Sequence, residues 1–273
     1  MKPNHQTLLV VALGVLVIGV ALVYTVSNQM LSSDELSSNP VVLKRLHDEV
    51  KQELDSFKMK KIIRQDRGAL ILRKENFTQI SNYQKYVTPN NLVVKEYVSS
   101  NNIETPLRAY TVAVGWTWVS DQTLHNKAEQ WMMPRDFIQA TPNMPTNPRP
   151  GFMVSDCESQ AYTLVSILES IGTSLKNVRV VVGEVNFSGV TGGHAWVQIY
   201  ENNQWSELEA TSGPSWNDET GTLENENSKG FSYNYFKTHP YPVVEYWAYF
   251  NDQYYYNPDS GQKSPNLPDY WLT

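Results

Sequence analysis

The chain is 273 residues long, with 22 Lys and Arg against 28 Asp and Glu and a formal net charge of −6. An acidic chain without a basic tract is poorly suited to gripping phosphate backbones by counterion release, which excludes nucleic acid as the expected partner. Hydrophobic residues make up 41 %, enough for an ordinary core, and the single cysteine, Cys157, excludes an internal disulfide framework and any C-x-x-C metal or redox site.

Thr7–Val26 is a run of twenty uncharged residues dominated by Leu, Val, Ile, Ala and Gly. As a helix it is about 30 Å long, the thickness of a bilayer's hydrocarbon core. A cleaved signal peptide is the alternative, but the run exceeds the roughly 7–15 apolar residues of a signal core and no clear A-x-A site follows it. The expectation is an uncleaved single-pass anchor. Lys2 precedes it, and Asp34 and Glu35 are the first charges after it. The positive-inside rule then places residues 1–6 in the cytoplasm and everything after Val26 outside. The mean hydropathy of −0.43 makes the rest a tethered soluble domain rather than a transporter.

Residues 27–104 read as a linker, an amphipathic helix and an N-terminal extension. Pro40 opens a helical pattern in which Leu43, Leu46, Val50, Leu54 and Phe57 recur at spacings of three and four. Ala69–Leu72 and Leu92–Val98 read as short β-like runs. Val112–Val119 leads into a polar helix-like stretch ending near Trp131. Five prolines between Pro134 and Pro150 predict a long surface loop without helix or central strand.

The strongest helix follows. Ala161, Leu164, Val165, Leu168 and Ile171 form one apolar stripe, and Gly172 stands where a C-terminal cap belongs. Its start, Ser155-Asp156-Cys157-Glu158, has the S-x-x-E form of a capping box, which puts Cys157 in the first turn. The helix dipole there lowers a thiol's pKa, and an imidazolium alongside lowers it further.

Val178–Val185 is strand-like. Gly192-Gly193 introduces His194–Tyr200, in which Ala195, Val197 and Ile199 alternate with His194, Trp196, Gln198 and Tyr200. Asn202-Asn203 is a plausible two-residue turn, with Trp205–Thr211 returning as a second strand. That loop pairs 200 with 205, 198 with 207 and 196 with 209. Glu209 then shares a face with His194 at one diagonal, roughly 7–8 Å away, whereas Glu207 lies about 13 Å down the strand. His5, His47, His125 and His239 have no comparable placement. The aromatic-rich C-terminal part reads as short strands and loops.

Ser155-Asp156-Cys157-Glu158, Gly193-His194-Ala195-Trp196-Val197 and Trp205-Ser206-Glu207-Leu208-Glu209-Ala210-Thr211 together resemble the three core motifs of the transglutaminase-like superfamily, over about residues 105–215. The gaps, 37 residues from Cys157 to His194 and 15 from His194 to Glu209, fit that pattern. The resemblance implies a papain-related α+β fold over 105–273, with the Cys-bearing helix packed on an antiparallel sheet bearing His and the acidic residue. It implies Cys157 as nucleophile, His194 as general base and acid, and Glu209 as orienting carboxylate. The backbone N–H of Cys157 serves as oxyanion donor, and Trp116, Trp118 and Trp196 are candidates for the oxyanion or substrate site. The chain departs from the family at Ser155 (usually Gly), Ser159 (usually Asp or Glu) and Glu209 (usually Asp).

The expected chemistry is acyl transfer at amide bonds of peptide or protein substrates through a thioester, hydrolysis being favoured over Gln–Lys cross-linking. A non-catalytic module holding a peptide or glycan at the cell envelope is the competing class, and an envelope scaffold is a third. No acidic cluster with calcium-loop spacing is visible, so neither metal nor cofactor is expected.

Overall fold

The computed structural model describes residues 82–273 and, upstream, Lys44, Val50, Met59, Lys60 and Ile63. The expected anchor at Thr7–Val26 and the run Ala69–Leu72 lie outside the described residues, as does most of the helix expected from Pro40. Among the described residues no helix is long and apolar enough to cross a membrane. The chain divides into Met1–Glu53 and Leu54–Thr273, and the second unit is described below.

In chain order its elements are α1 (Leu92–Ser100), α2 (Pro106–Ala113), β1 (Thr117–Trp118), α3 (Asp121–His125), α4 (Pro134–Gln139), β2 (Val154–Ser155), α5 (Cys157–Ser170), β3 (Val178–Phe187), β4 (Val190–Glu201), β5 (Gln204–Leu208), β6 (Ser215–Asn217), β7 (Thr222–Glu224), β8 (Val243–Phe250) and β9 (Tyr255–Tyr256). The mixture is α+β. One sheet has the order β5-β4-β3-β8-β9 and is antiparallel throughout; the other has the order β2-β1-β6-β7 with parallel β1–β2 and β1–β6 pairs.

The β4–β5 hairpin has the register that its turn dictates. Asn202 and Asn203 both adopt left-handed φ, 53° and 63°, as a two-residue turn matched to strand twist requires. Tyr200 pairs with Trp205 and Gln198 with Glu207. Pairing stops at Leu208, earlier than the strand expected to Thr211: Glu209 turns away as the cap of a 3-10 turn, Ala210–Ser212.

The large sheet is covered on both faces, so β3 is buried almost throughout. On one face Val180, Val182, Ala195, Val197, Ala248 and Phe250 pack with Ala161, Leu164, Val165 and Leu168 of α5. On the other, Val181, Val185, Trp196 and Tyr249 pack with Met59, Ile63, Trp118, Phe231 and Trp271. Each aliphatic side chain so buried contributes about 1.5–3 kcal/mol before entropy is counted.

Helix α5 ends as its sequence predicts: Gly172 has φ +90°, its N–H donates to Glu169 O, and Thr173 N–H donates to Leu168 O. It is not a one-striped surface helix, because every residue from Cys157 to Glu169 is buried. Nor does the expected capping box form. Ser155 belongs to β2, paired with Trp118, and its carbonyl accepts from Val119 N–H and Gln160 Nε2. That pairing keeps Ser155 extended and makes Asp156 the N-cap, without a side-chain cap hydrogen bond.

Other expectations are corrected. Leu92–Val98 is helical, not strand: the Asn91 side chain accepts from Val93 N–H at 2.9 Å and starts α1. Val112 and Ala113 close α2, and only Thr117–Trp118 of that run is strand. The polar stretch toward Trp131 holds only the short α3. The Pro-rich segment contains α4 and a 3-10 turn at Thr141–Asn143. Pro134 occupies the first helical position, where its missing N–H costs nothing, and the next proline comes only at 142.

Candidate active site

Cys157 is the first residue of α5 and is buried. At that position the positive end of the helix dipole favours an anion nearby. His194 lies on β4 opposite Gly183 of β3. Glu209 lies immediately beyond β5, and its side chain accepts from Thr211 N–H at 3.0 Å and Thr211 Oγ1 at 2.6 Å through Oε1.

The structure brings His194 and Glu209 together: Nε2 and Oε2 are 2.8 Å apart, both side chains fully buried. The same Oε2 accepts from the Tyr241 hydroxyl at 2.5 Å. One carboxylate is thus surrounded by donors on both oxygens. Burial alone would raise its pKa; the charge and hydrogen bond of His194, with the hydrogen bonds of Thr211 and Tyr241, outweigh burial and hold it below the ordinary value. Tyr241 moves the opposite way, raised first by burial and then by Glu209, with Glu207 and Cys157 adding to the effect.

With Nε2 engaged by Glu209, Nδ1 is the remaining ring nitrogen. It is buried and has no hydrogen-bond partner, so no hydrogen bond joins it to Cys157. Trp196 stacks beside the imidazole, ring centroids 6.1 Å apart and planes 14° apart, and lies 5.0 Å from the Tyr241 ring.

The tryptophans separate by what their indole N–H does. Trp116 donates to the Tyr97 hydroxyl at 3.0 Å and packs edge-on against Phe137. Trp118 is the register partner of Ser155, two residues before Cys157, and its buried Nε1 has no hydrogen-bond partner. Trp196 likewise leaves Nε1 without one.

Met59 and Ile63 are fully buried and pack in the cluster that holds Trp196. Met59 Sδ lies 3.9 Å from Thr211 Oγ1. Ile63 sits on Gly192, where an added Cβ would come within 2.6 Å of Ile63 Cγ2.

An acidic group that sequence reading missed lies next to Cys157. Asp121, Glu129 and Asp156 bring one carboxylate oxygen each within 4.8 Å of one another. Asp121 also accepts from Gln130 N–H and lies 4.0 Å from His125 Nε2. Three carboxylates suit a hard, oxygen-seeking cation such as Ca²⁺ or Mg²⁺. They come from three separate segments, so no loop spacing announces them. Tyr241 was missed for a related reason: a tyrosine 32 positions after Glu209 in an aromatic-rich tail carries no local signal.

No protein-family model matches the chain, and no curated protein matches its sequence. Among solved structures it is similar to LapG of Legionella pneumophila. The calcium-bound form matches at 11 % identity and a TM-score of 0.37, over 70 % of this chain and 82 % of that one. The EGTA-treated form matches at 11 % identity and a TM-score of 0.35, over 64 % and 72 %.

Proposed function

We propose that the chain is a papain- and transglutaminase-like thiol hydrolase that cleaves amide bonds in peptide or protein substrates by acyl transfer. The observation that carries this reading is the buried 2.8 Å His194–Glu209 pair, whose free Nδ1 shares one helix-and-sheet unit with the only cysteine of the chain.

In this mechanism Glu209 holds Nε2–H, so that the neutral imidazole presents Nδ1 as base. Nδ1 takes the proton of the Cys157 thiol, and the sulfur attacks the scissile carbonyl. The Cys157 backbone N–H and Trp118 Nε1–H receive the developing oxyanion. The imidazolium then gives its proton to the leaving amine, and a thioester remains on Cys157. Water, deprotonated at Nδ1, attacks the thioester and releases the acid and the thiol. Cys157, His194 and Glu209 are all buried, so side chains around them have to move when substrate enters. We further propose that Thr7–Val26 tethers this domain outside the cytoplasmic face of a membrane; carbonate-resistant sedimentation of the full-length chain supports that, and release into the supernatant refutes it.

The test is to incubate the full-length chain with a mixed peptide library and follow both products and enzyme by mass spectrometry. New carboxyl termini with a transient acyl adduct on Cys157 are expected, and both disappear in Cys157→Ser. Incorporation of an added amine in place of water would make the chain a transamidase. Substrate retention with neither cleavage nor adduct would make it a binding module.

A further inference from the structure

We propose that Tyr241 is a positioning residue of this site: through its hydrogen bond to Glu209 Oε2 it sets how much of the carboxylate's charge reaches His194. The inference rests on the catalytic reading of Cys157, His194 and Glu209, and assigns a role that the three motifs do not contain.

The geometry is specific. His194 Nε2 and the Tyr241 hydroxyl address the same oxygen, at 2.8 and 2.5 Å, while Thr211 holds the other. Two donors on one oxygen compete for its charge: a stronger tyrosine bond weakens the pull on the imidazolium, and its loss strengthens that pull. The ring is held by aromatic contacts with Phe187 at 5.6 Å, Trp196 at 5.0 Å and Phe236 at 4.8 Å, so the hydroxyl cannot swing away. The ionisable groups facing the phenol are Glu209, Glu207 from β5 and Cys157 from α5, and all three favour its neutral form along with burial. Tyr241 therefore remains a neutral O–H donor at neutral pH.

The alternative is that Tyr241 only fills space between Trp196 and Phe236. Tyr241→Phe keeps the ring and deletes the donor, and His194 is read directly by NMR in full-length protein labelled at histidine. A positioning role predicts that the His194 titration midpoint moves upward by roughly one pH unit, the size of one charge-assisted hydrogen bond, and that kcat falls about tenfold with KM unchanged. Replacing Tyr241 by 2,3-difluorotyrosine, a stronger donor of nearly the same shape, moves the midpoint downward. That variant keeps the question open to measurement if the phenylalanine protein does not fold. An unchanged midpoint in either folded variant overturns the proposal. If the midpoint moves as stated but neither the parent protein nor the variant turns over peptide, the hydrogen-bond role stands and the hydrolase reading falls.

Discussion

Two buried charged clusters occupy the same face of the large sheet, and they are built to opposite ends. Arg179 on β3 donates through Nε to Gln198, through Nη1 to the Trp271 carbonyl and through Nη2 to the Thr273 carbonyl. Its guanidinium lies between the Trp205 and Tyr249 rings, 3.9 Å from each centroid. Each of its three nitrogens has an acceptor, and both faces of the plane are covered. His194, four residues along β4 from Gln198, is equally buried, yet one of its two nitrogens has no hydrogen-bond partner. A buried polar atom without a partner costs roughly 1–3 kcal/mol. The Arg179 cluster avoids that cost, as a structural cluster does; the His194 cluster carries it on the atom that the proposed general-base step would use.

The comparison breaks most visibly at Glu209. Glu209→Gln preserves shape but removes the charge and turns one of the two acceptor oxygens into an NH₂ donor, which upsets the contact that fixes the imidazole tautomer. The loss in kcat is expected at about 10³- to 10⁴-fold, as for the corresponding change in a serine triad. Its stability effect depends on pH. The Glu209 pKa is depressed in the folded chain, so its contribution is present above the ordinary carboxylate range and is lost as pH falls through the folded value. Denaturant midpoints of parent and variant should therefore converge toward acid.

Arg179→Ala reverses the pattern. It leaves Gln198 and two carbonyls without their donor and is expected to cost about 3–5 kcal/mol of stability, while activity per folded molecule changes little. Urea titration followed by an active-site count separates the two. A large activity loss in the fully folded variant would erase the distinction between the clusters.

The smallest effect is at Glu169, near the far end of α5. Burial, with Asp252 adding to it, pushes its carboxyl up to about 9. An acid with a raised pKa stabilises the fold fully below its ordinary 4.5, and that contribution is lost as pH rises toward 9. Glu169→Gln should thus be neutral near pH 4 and stabilising by at least about 1 kcal/mol at pH 8, measured as the change in thermal midpoint across pH.

What could be read from the residues follows from the range over which each feature is decided. The hairpin register was legible because Asn202-Asn203 settles it within two residues, and it carries Glu209 toward His194. The period and Gly172 did the same for α5. Leu92–Val98 looked like a strand because Leu-Val-Val is β-prone; one Asn91 side chain decides it for helix. The N-cap of α5 shifted to Asp156 because β2 pairs with β1, a contact 37 residues distant between Ser155 and Trp118. Tyr241 and the Asp121–Glu129–Asp156 group depend on tertiary contacts that no local pattern encodes.

The proposed activation of Cys157 is tested most directly by its alkylation. With iodoacetamide near pH 6, where an ordinary thiol near pKa 8.5 is almost wholly protonated, the only cysteine of the chain should react at least about tenfold faster than free cysteine. His194→Ala leaves the buried Glu209 carboxylate without its partner and lowers stability, so the rate is compared below the variant's thermal transition, where the advantage should be gone. A parent protein that reacts no faster than free cysteine, or one whose rate is indifferent to His194, would contradict a thiol activated by that imidazole.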